Sequence, residues 1–250
     1  MAPATVSVVL PTFNEAETIC ALVAELRATL DRHWPAYEIL VVDDASPDGT
    51  ADRIAAAYGD GEAVRLVRRA PPHGLAVSIR DGIARARGEI VVVMDADFNH
   101  DPADVPRLLD ALPSADLVGG SRFLPGGGMY SRTRQLGSGA MNVVIRAVVR
   151  TGIRDNLSGF FAVRRATLTA LPLDAIFFGY GDYYFRLLWH ARRHGLRVRE
   201  IAVAYPPRRG GESKTPLVRT AFKYTAAALR FVLTRRAMAT LTLSQRRGSD

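Results

Sequence analysis

The chain has 250 residues, 48% of them hydrophobic, so it can bury a sizeable core unaided, as one large domain or a domain with an appendage. Its one cysteine, Cys20, excludes a disulfide within the chain and reads as a small buried hydrophobe in a reducing compartment. The net charge of +8 favours an anionic partner without choosing among nucleic acid, phospholipid and a phosphorylated small molecule. With no basic-then-apolar leader and no run of about 18 uncharged apolar residues, the sequence predicts neither signal-directed export nor a membrane span.

In chain order, "VSVVLPTF" (6–13) predicts a strand, "EAETICALVAELRATL" (15–30) a helix, "EILVVDD" (38–44) a strand and the segment near Thr50 to Tyr58 a helix. "VRLVRR" (64–69) predicts a third strand, Leu75 to Ala86 a helix and "EIVVVMDAD" (89–97) a fourth strand. Val105 to Leu112 reads as the next helix and "ADLVGGSRF" (115–123) as the fifth strand. This alternation implies an α/β fold with a mainly parallel open sheet flanked by helices. Ligands of such sheets bind beyond the carboxyl ends of the strands. Four polar clusters, "LPTFNE", "VDDASPDGT", "MDADFNH" and "GGSRF", should therefore meet along one edge. Neither G-x-G-x-x-G nor a Walker A loop follows the first strand, which leaves acids rather than a glycine cradle to deal with a bound phosphate.

Asp95 and Asp97 end a buried strand, where an unpaired charge is expensive. An Asp-x-Asp often serves as a turn or helix cap, but Asp101 followed by Pro102 already suits that capping job, as N-cap and first helical residue. Two carboxylates repel a pyrophosphate, whereas Mg²⁺ or Mn²⁺ takes oxygens from one or two carboxylates and from the substrate's phosphates. Asp97, with Asn99 as a neutral oxygen donor nearby, is the first candidate for the metal. Asp95 is a candidate for the ribose or for the metal's outer shell.

Together "LPTFNE", "VVDDASPDGT", "MDADFNHDP", "GSRF", "DNLSGF" and "RRGGESK", in this order and spacing, resemble the family 2 inverting glycosyltransferases of the dolichol-phosphate mannose synthase type. The resemblance runs from about Val6 to Lys214. It implies a GT-A fold, a nucleotide-sugar donor, a divalent metal (Mg²⁺ or Mn²⁺) and a polyprenyl monophosphate acceptor. It implies that Pro11, Phe13 and Glu15 line the base and ribose pocket with Val42 and Asp44, and that Asp95, Ala96, Asp97 and Asn99 form the metal and diphosphate motif. Arg122 would meet the donor, and Arg208 and Lys214 would close over its diphosphate. This chain departs from the pattern at Phe13, where Tyr is usual, and at Asn99, where Gln is frequent. Ala45 and Ala76 stand where glycine is common.

The segments "RTRQLGSGAMN" and "RDNLSGFFAVRR" resemble the family's acceptor region, which includes Ser158. Arg134, Ser138 and Asn142 fall four apart, on one helical face that either grips the acceptor's phosphate or is merely solvated. A hydroxyl acceptor needs a placed general base, whereas a phosphate monoester is already an anion and needs chiefly alignment and cations. In "FGYGDYYFRLLWHARRHG" Arg186 stands near a position that is commonly acidic in the family, and Asp182 either acts as a base for a hydroxyl acceptor or caps the following helix. The basic loop "YPPRRGGESKT" has prolines that stop a strand and glycines that allow a hinge, and beside an acidic site it reads as a lid.

From Leu217 to Leu233, Val218, Phe222, Leu229, Val232 and Leu233 share a helical face beside Arg219, Lys223 and Arg230. That pattern suits a helix lying on an anionic membrane surface, or one packed on the catalytic domain. The expected organisation is a catalytic domain over 1–215, with a donor half to about 125 and an acceptor half after it, then an amphipathic helix and tail over 216–250. The expected activity is metal-dependent, inverting transfer of a hexose, mannose from GDP-mannose first, to a polyprenyl phosphate. Its expected place is peripheral, at the cytoplasmic face of a membrane, held by anionic lipid or a membrane partner protein. A UDP-sugar donor, a hydroxyl acceptor or a nucleotide-sugar-binding regulatory protein are the alternatives. Nucleic acid is excluded as a partner, because stacking motifs are missing and acids line the expected cleft.

Overall fold

The apolar runs become strands and the amphipathic ones helices in a computed structural model that describes residues 5–34, 36–59, 61–207 and 223–234. The first half alternates as β1 (Val6–Thr12), α1 (Ile19–His33), β2 (Tyr37–Asp43), α2 (Thr50–Tyr58), β3 (Val64–Arg68), α3 (Leu75–Arg85), β4 (Ile90–Val93), α4 (Asp104–Ala111) and β5 (Leu117–Ser121). Then follow β6 (Gly128–Met129), α5 (Arg132–Val149), β7 (Phe161–Arg164), α6 (Arg165–Thr169), α7 (Leu173–Ile176), α8 (Tyr183–Arg193), β8 (Val198–Ala202) and β9 (Ala204–Tyr205). Residues 223–234 are helical.

Among the described residues the main sheet runs β3-β2-β1-β4-β7-β5-β8, and β6 and β9 form a small parallel pair. Successive side chains of each strand point to opposite faces. Val6, Val8 and Leu10 of β1 therefore pack with Ile19, Leu22 and Leu108 of α1 and α4, while Val9 packs with Ile79, Ile83 and Leu187 of α3 and α8. Each such fully buried Leu or Ile contributes roughly 1.5–3 kcal/mol. Helix α3 lies so close to β1 that a methyl group added at Gly82 would stand 2.4 Å from Val9 Cγ1.

Two features differ from the expectation. Strand β7 is antiparallel and lies between β4 and β5, so its leading residues, Ser158 to Phe160, arrive at the edge where the parallel strands end. Asp101 does not cap α4 directly. Its Oδ1 accepts from Ala103 N at 2.9 Å and its carbonyl from Asp104 N at 3.0 Å, which makes a turn through Pro102 before α4 begins at Asp104.

The helical stretch 223–234 packs on α5 and α8 through a face that the hydrophobic stripe did not mark. Ala228 joins Met141, Ile145, Val149 and Phe185, and Phe231 meets Phe185 and Trp189 edge-on with ring centroids 6.0 and 5.1 Å apart. Leu229 and Leu233 of the expected stripe remain 48% and 65% exposed. Val218, Arg219, Phe222 and the boundary near 215 lie outside the described residues. Among the described residues no helix is long and apolar enough to cross a membrane.

Candidate active site

The loops after β1 and β2 are stitched together by side chains that accept from backbone. Asn14 N donates to Ser46 Oγ at 3.0 Å, Glu15 N to Thr50 Oγ1 at 2.9 Å and Ala16 N to Asp48 Oδ2 at 3.0 Å. Burial raises the Asp48 carboxyl, but donation from Thr50 and Ala16 outweighs it and holds the group below its usual range. Phe13 stands 49% exposed at the mouth of this double loop, with Glu15 half-buried behind it and Pro11 buried in β1. Val42 takes no part in the mouth; it is wholly buried with Ile79 and Ile83 under α3. Asp44 is a hub: it pairs with Arg69 and accepts from Gly74 N at 2.7 Å, with His73 Nδ1 3.1 Å away. Between them Ala45 adopts a left-handed backbone, φ +57°.

The turn after β4 carries the acids. Asn99 donates its backbone N–H to Asp97 Oδ1 and its side-chain amide to Oδ2, each at 3.0 Å, so the carboxylate is held in one orientation. Ala96 and Phe98 are buried on either side, and Phe98 adopts φ +64°, a backbone that costs on the order of 1–2 kcal/mol in a residue with a Cβ. The Asp95 side chain is 38% exposed. The Asp97 carboxylate, oriented by Asn99, and the Asp95 carboxylate two residues before it are oxygen donors of the kind a hard divalent cation takes. Among the described residues no group of three His, Cys, Asp or Glu is placed to cage an ion.

Arg122, after β5, is buried beside this turn. Its Nε and Nη2 donate to the two Asp155 oxygens at 2.7 Å each, its backbone N–H adds a third bond at 3.1 Å, and its guanidinium lies 4.7 Å from the Tyr205 ring centre. Burial disfavours its charge, but Asp155 more than restores it and pushes the pKa up. The residue expected to meet the donor is therefore committed first to Asp155. Asn142 is likewise taken up inside: its Oδ1 accepts from Asn156 N at 2.6 Å and its amide donates to the Ser138 carbonyl at 3.0 Å. It fixes the 155–157 loop instead of standing on the open face with Arg134 and Ser138, which are half-buried. Ser158 is buried, with Oγ 2.8 Å from Tyr205 Oη.

Arg186 is 2% exposed and staples the loop before α8, donating to the carbonyls of Ile176 (2.8 Å) and Phe178 and pairing with Asp182. The second Asp182 oxygen accepts from Tyr180 N at 3.0 Å. Asp182 therefore sits at the N-cap position of α8 but sends its carboxylate to Arg186. Sequence reasoning passed over Arg69, Asp155, Tyr205 and His100. His100 closes the acidic turn and is buried beside Phe160, with ring centroids 4.7 Å apart. Burial presses its pKa down to about 4, against the pull of Asp97. Its place at the end of "MDADFNH" was the only signal available. Arg208 and Lys214 lie outside the described residues.

An open α/β sheet whose first two loops are stitched into a mouth, with a carboxylate turn after the fourth strand, defines a GT-A glycosyltransferase. Residues 7–171 match Glycosyl transferase family 2, and the chain belongs to that family. It is 36% identical over 213 residues to an undecaprenyl-phosphate mannosyltransferase of Micrococcus luteus, covering 82% of this chain and 85% of that one. It is 35% identical over 216 residues to a polyprenol monophosphomannose synthase of Mycolicibacterium smegmatis, covering 83% and 79%. Among solved structures, glucosyl-3-phosphoglycerate synthase from Mycobacterium tuberculosis, in complex with Mn²⁺, UDP and glucosyl-3-phosphoglycerate, aligns with a TM-score of 0.69. That pair is 26% identical and covers 92% of this chain and 80% of the other.

Proposed function

We propose that the protein transfers a hexose, mannose from GDP-mannose, to a polyprenyl phosphate, with inversion and with the aid of Mg²⁺ or Mn²⁺. The observation that carries the acceptor class is the Asp182–Arg186 pair. The carboxylate best placed by sequence to act as a base for a hydroxyl is bonded through both oxygens to its own loop. A phosphate monoester brings its own negative charge and needs alignment rather than deprotonation. The names of the two bacterial relatives support the same acceptor and the mannosyl group, and the Mn²⁺ in the mycobacterial neighbour supports a divalent ion.

In this reading Phe13 packs on the base and Glu15 reaches the ribose at the stitched mouth. Asp95 and Asp97 hold the cation, with Asn99 keeping Asp97 in its orientation. When bound, the ion neutralises charge on the departing nucleoside diphosphate. Arg208 and Lys214 close over that diphosphate, and Arg134 and Ser138 receive the acceptor's phosphate. Peripheral attachment to an anionic membrane is supported by an exposed apolar face. Leu136 and Val143 of α5 are 75% and 56% exposed and Leu229 and Leu233 of the 223–234 stretch 48% and 65%, and Arg132, Arg146, Lys223 and Arg230 of the same two elements are exposed.

The test is incubation of purified protein and Mn²⁺ with labelled GDP-mannose or UDP-hexoses, with and without a short polyprenyl phosphate. Label should enter the organic phase only with GDP-mannose and lipid together. Lipid-dependent transfer from a UDP-sugar would change the donor and keep the acceptor. Metal-dependent hydrolysis of a donor without any lipid product would overturn the acceptor assignment.

A further inference from the structure

His100 and Tyr205 are both buried, and their hydrogen bonds fix the tautomer of the imidazole. Asp95 N–H donates to His100 Nδ1 at 2.8 Å, so the ring proton is on Nε2, which donates to Tyr205 Oη at 2.6 Å. Tyr205 Oη also lies within hydrogen-bond distance of the Ser158 carbonyl, at 3.0 Å, and of Ser158 Oγ, at 2.8 Å. Asp95 Oδ2 lies 3.9 Å from Nε2, too far for a hydrogen bond. One phenol oxygen thus joins three parts of the chain that are distant in sequence: the acidic turn through His100, the start of β7 through Ser158, and β9 through its own backbone. Phe160 stacks on the imidazole and Arg122 covers the phenol ring, so neither ring is free to reorient. Beyond Tyr205 the chain continues as Pro206, Pro207 and the basic segment.

We propose that His100 and Tyr205 are positioning residues whose hydrogen-bonded pair sets the Asp95–Asn99 turn in the geometry that binds a divalent cation together with a nucleoside diphosphate. The inference rests on the reading above, that this turn holds the cation. Neither side chain touches the ion or the substrate. They act by holding the backbone from which Asp95 and Asp97 project, and by tying that backbone to the strand that leads into the basic segment.

The experiment is a titration of Mn²⁺ into the full-length protein, followed by loss of the free-ion electron paramagnetic resonance signal, with GDP and separately with UDP present. Tyr205→Phe keeps both ring contacts and removes only the hydroxyl. It should weaken Mn²⁺ binding about tenfold, as loss of an outer-shell partner does, while metal-free nucleotide affinity stays within twofold. His100→Asn keeps an acceptor for Asp95 N–H but cannot reach Tyr205, and should weaken Mn²⁺ by a similar factor. The double variant should lose little more than either single one, because both remove the same link. Wild-type binding with unchanged Mn²⁺ affinity in both variants would overturn the positioning role alone. Failure of the wild type to bind Mn²⁺ with either nucleotide would remove the metal reading and the inference with it. Loss of the folded circular dichroism spectrum in both single variants would make the pair a general fold element and also overturn the proposal.

Discussion

Replacing Asp155 by Asn tests how far Arg122 depends on its carboxylate. The Asp155 side chain is 0% exposed and that of Arg122 7%, so the substitution removes the counter-ion of a guanidinium that water cannot reach. Breaking one partner of a buried pair costs about 3–5 kcal/mol, because the remaining charge stays desolvated. The Tyr205 ring face, 4.7 Å from the guanidinium, is present in both proteins and so drops out of the difference. The expected loss is therefore about 3–5 kcal/mol, or roughly 6–20 °C in melting midpoint for a chain of this size. Thermal melts read by circular dichroism should be run beside Asp116→Asn, which breaks an ion pair to Arg197, a residue with 65% side-chain exposure. Surface pairs are screened by water, so that control should barely move the midpoint. A shift for Asp155→Asn no larger than the control's would refute the claim that Asp155 holds Arg122 by charge.

Asp97→Ala should abolish sugar transfer and leave the melting midpoint within a few degrees; measurable turnover at saturating Mn²⁺ contradicts its assignment. Ala45→Gly should stabilise the protein by up to about 1 kcal/mol in urea unfolding, because relief of left-handed strain, about 1–2 kcal/mol, exceeds the extra chain entropy of glycine, about 0.4–1 kcal/mol. The Asp48 carboxyl is lowered in the fold, so its contribution is present above the ordinary carboxylate value and lost as pH falls through the lowered one. Hydrogen exchange at the Ala16 and Thr50 amides should therefore accelerate in acid, beyond the intrinsic pH dependence. Asp48→Asn should remove that acceleration.

The parallel half of the sheet was legible because its signal is local: each strand is a short apolar run, and each intervening helix repeats its apolar residues on one face. The predicted and observed bounds of α2 coincide, and those of α3 differ by one residue. Strand β7 was not legible in its direction, since its four residues pair with β4 and β5, strands far earlier in the chain, and no local pattern encodes that. The clusters at the strand ends were found because topology alone gathers them. What failed was the orientation of individual side chains. Asn142 was placed on an open face by its spacing from Arg134 and Ser138, yet it turns inward to Asn156, and Val42 lies under α3 although Asp44, two positions on, reaches the edge. His100 and Tyr205 were missed because the partners that define them are remote: 105 residues separate the two, and 47 separate Tyr205 from Ser158.

The arrangement of acids along this edge follows one rule that no single motif states. Asp44 is paired with Arg69, Asp155 with Arg122 and Asp182 with Arg186, each pair largely buried. These pairs are nearly neutral in sum, and their carboxylates face inward to hold loops. The acidic turn is built differently: Asn99 holds the Asp97 carboxylate through its backbone N–H and its side-chain amide, and the Asp95 backbone N–H donates to His100 Nδ1. The pairing of Asp182 with Arg186, which first looked like a departure from the family, neutralises that carboxylate and occupies both of its oxygens.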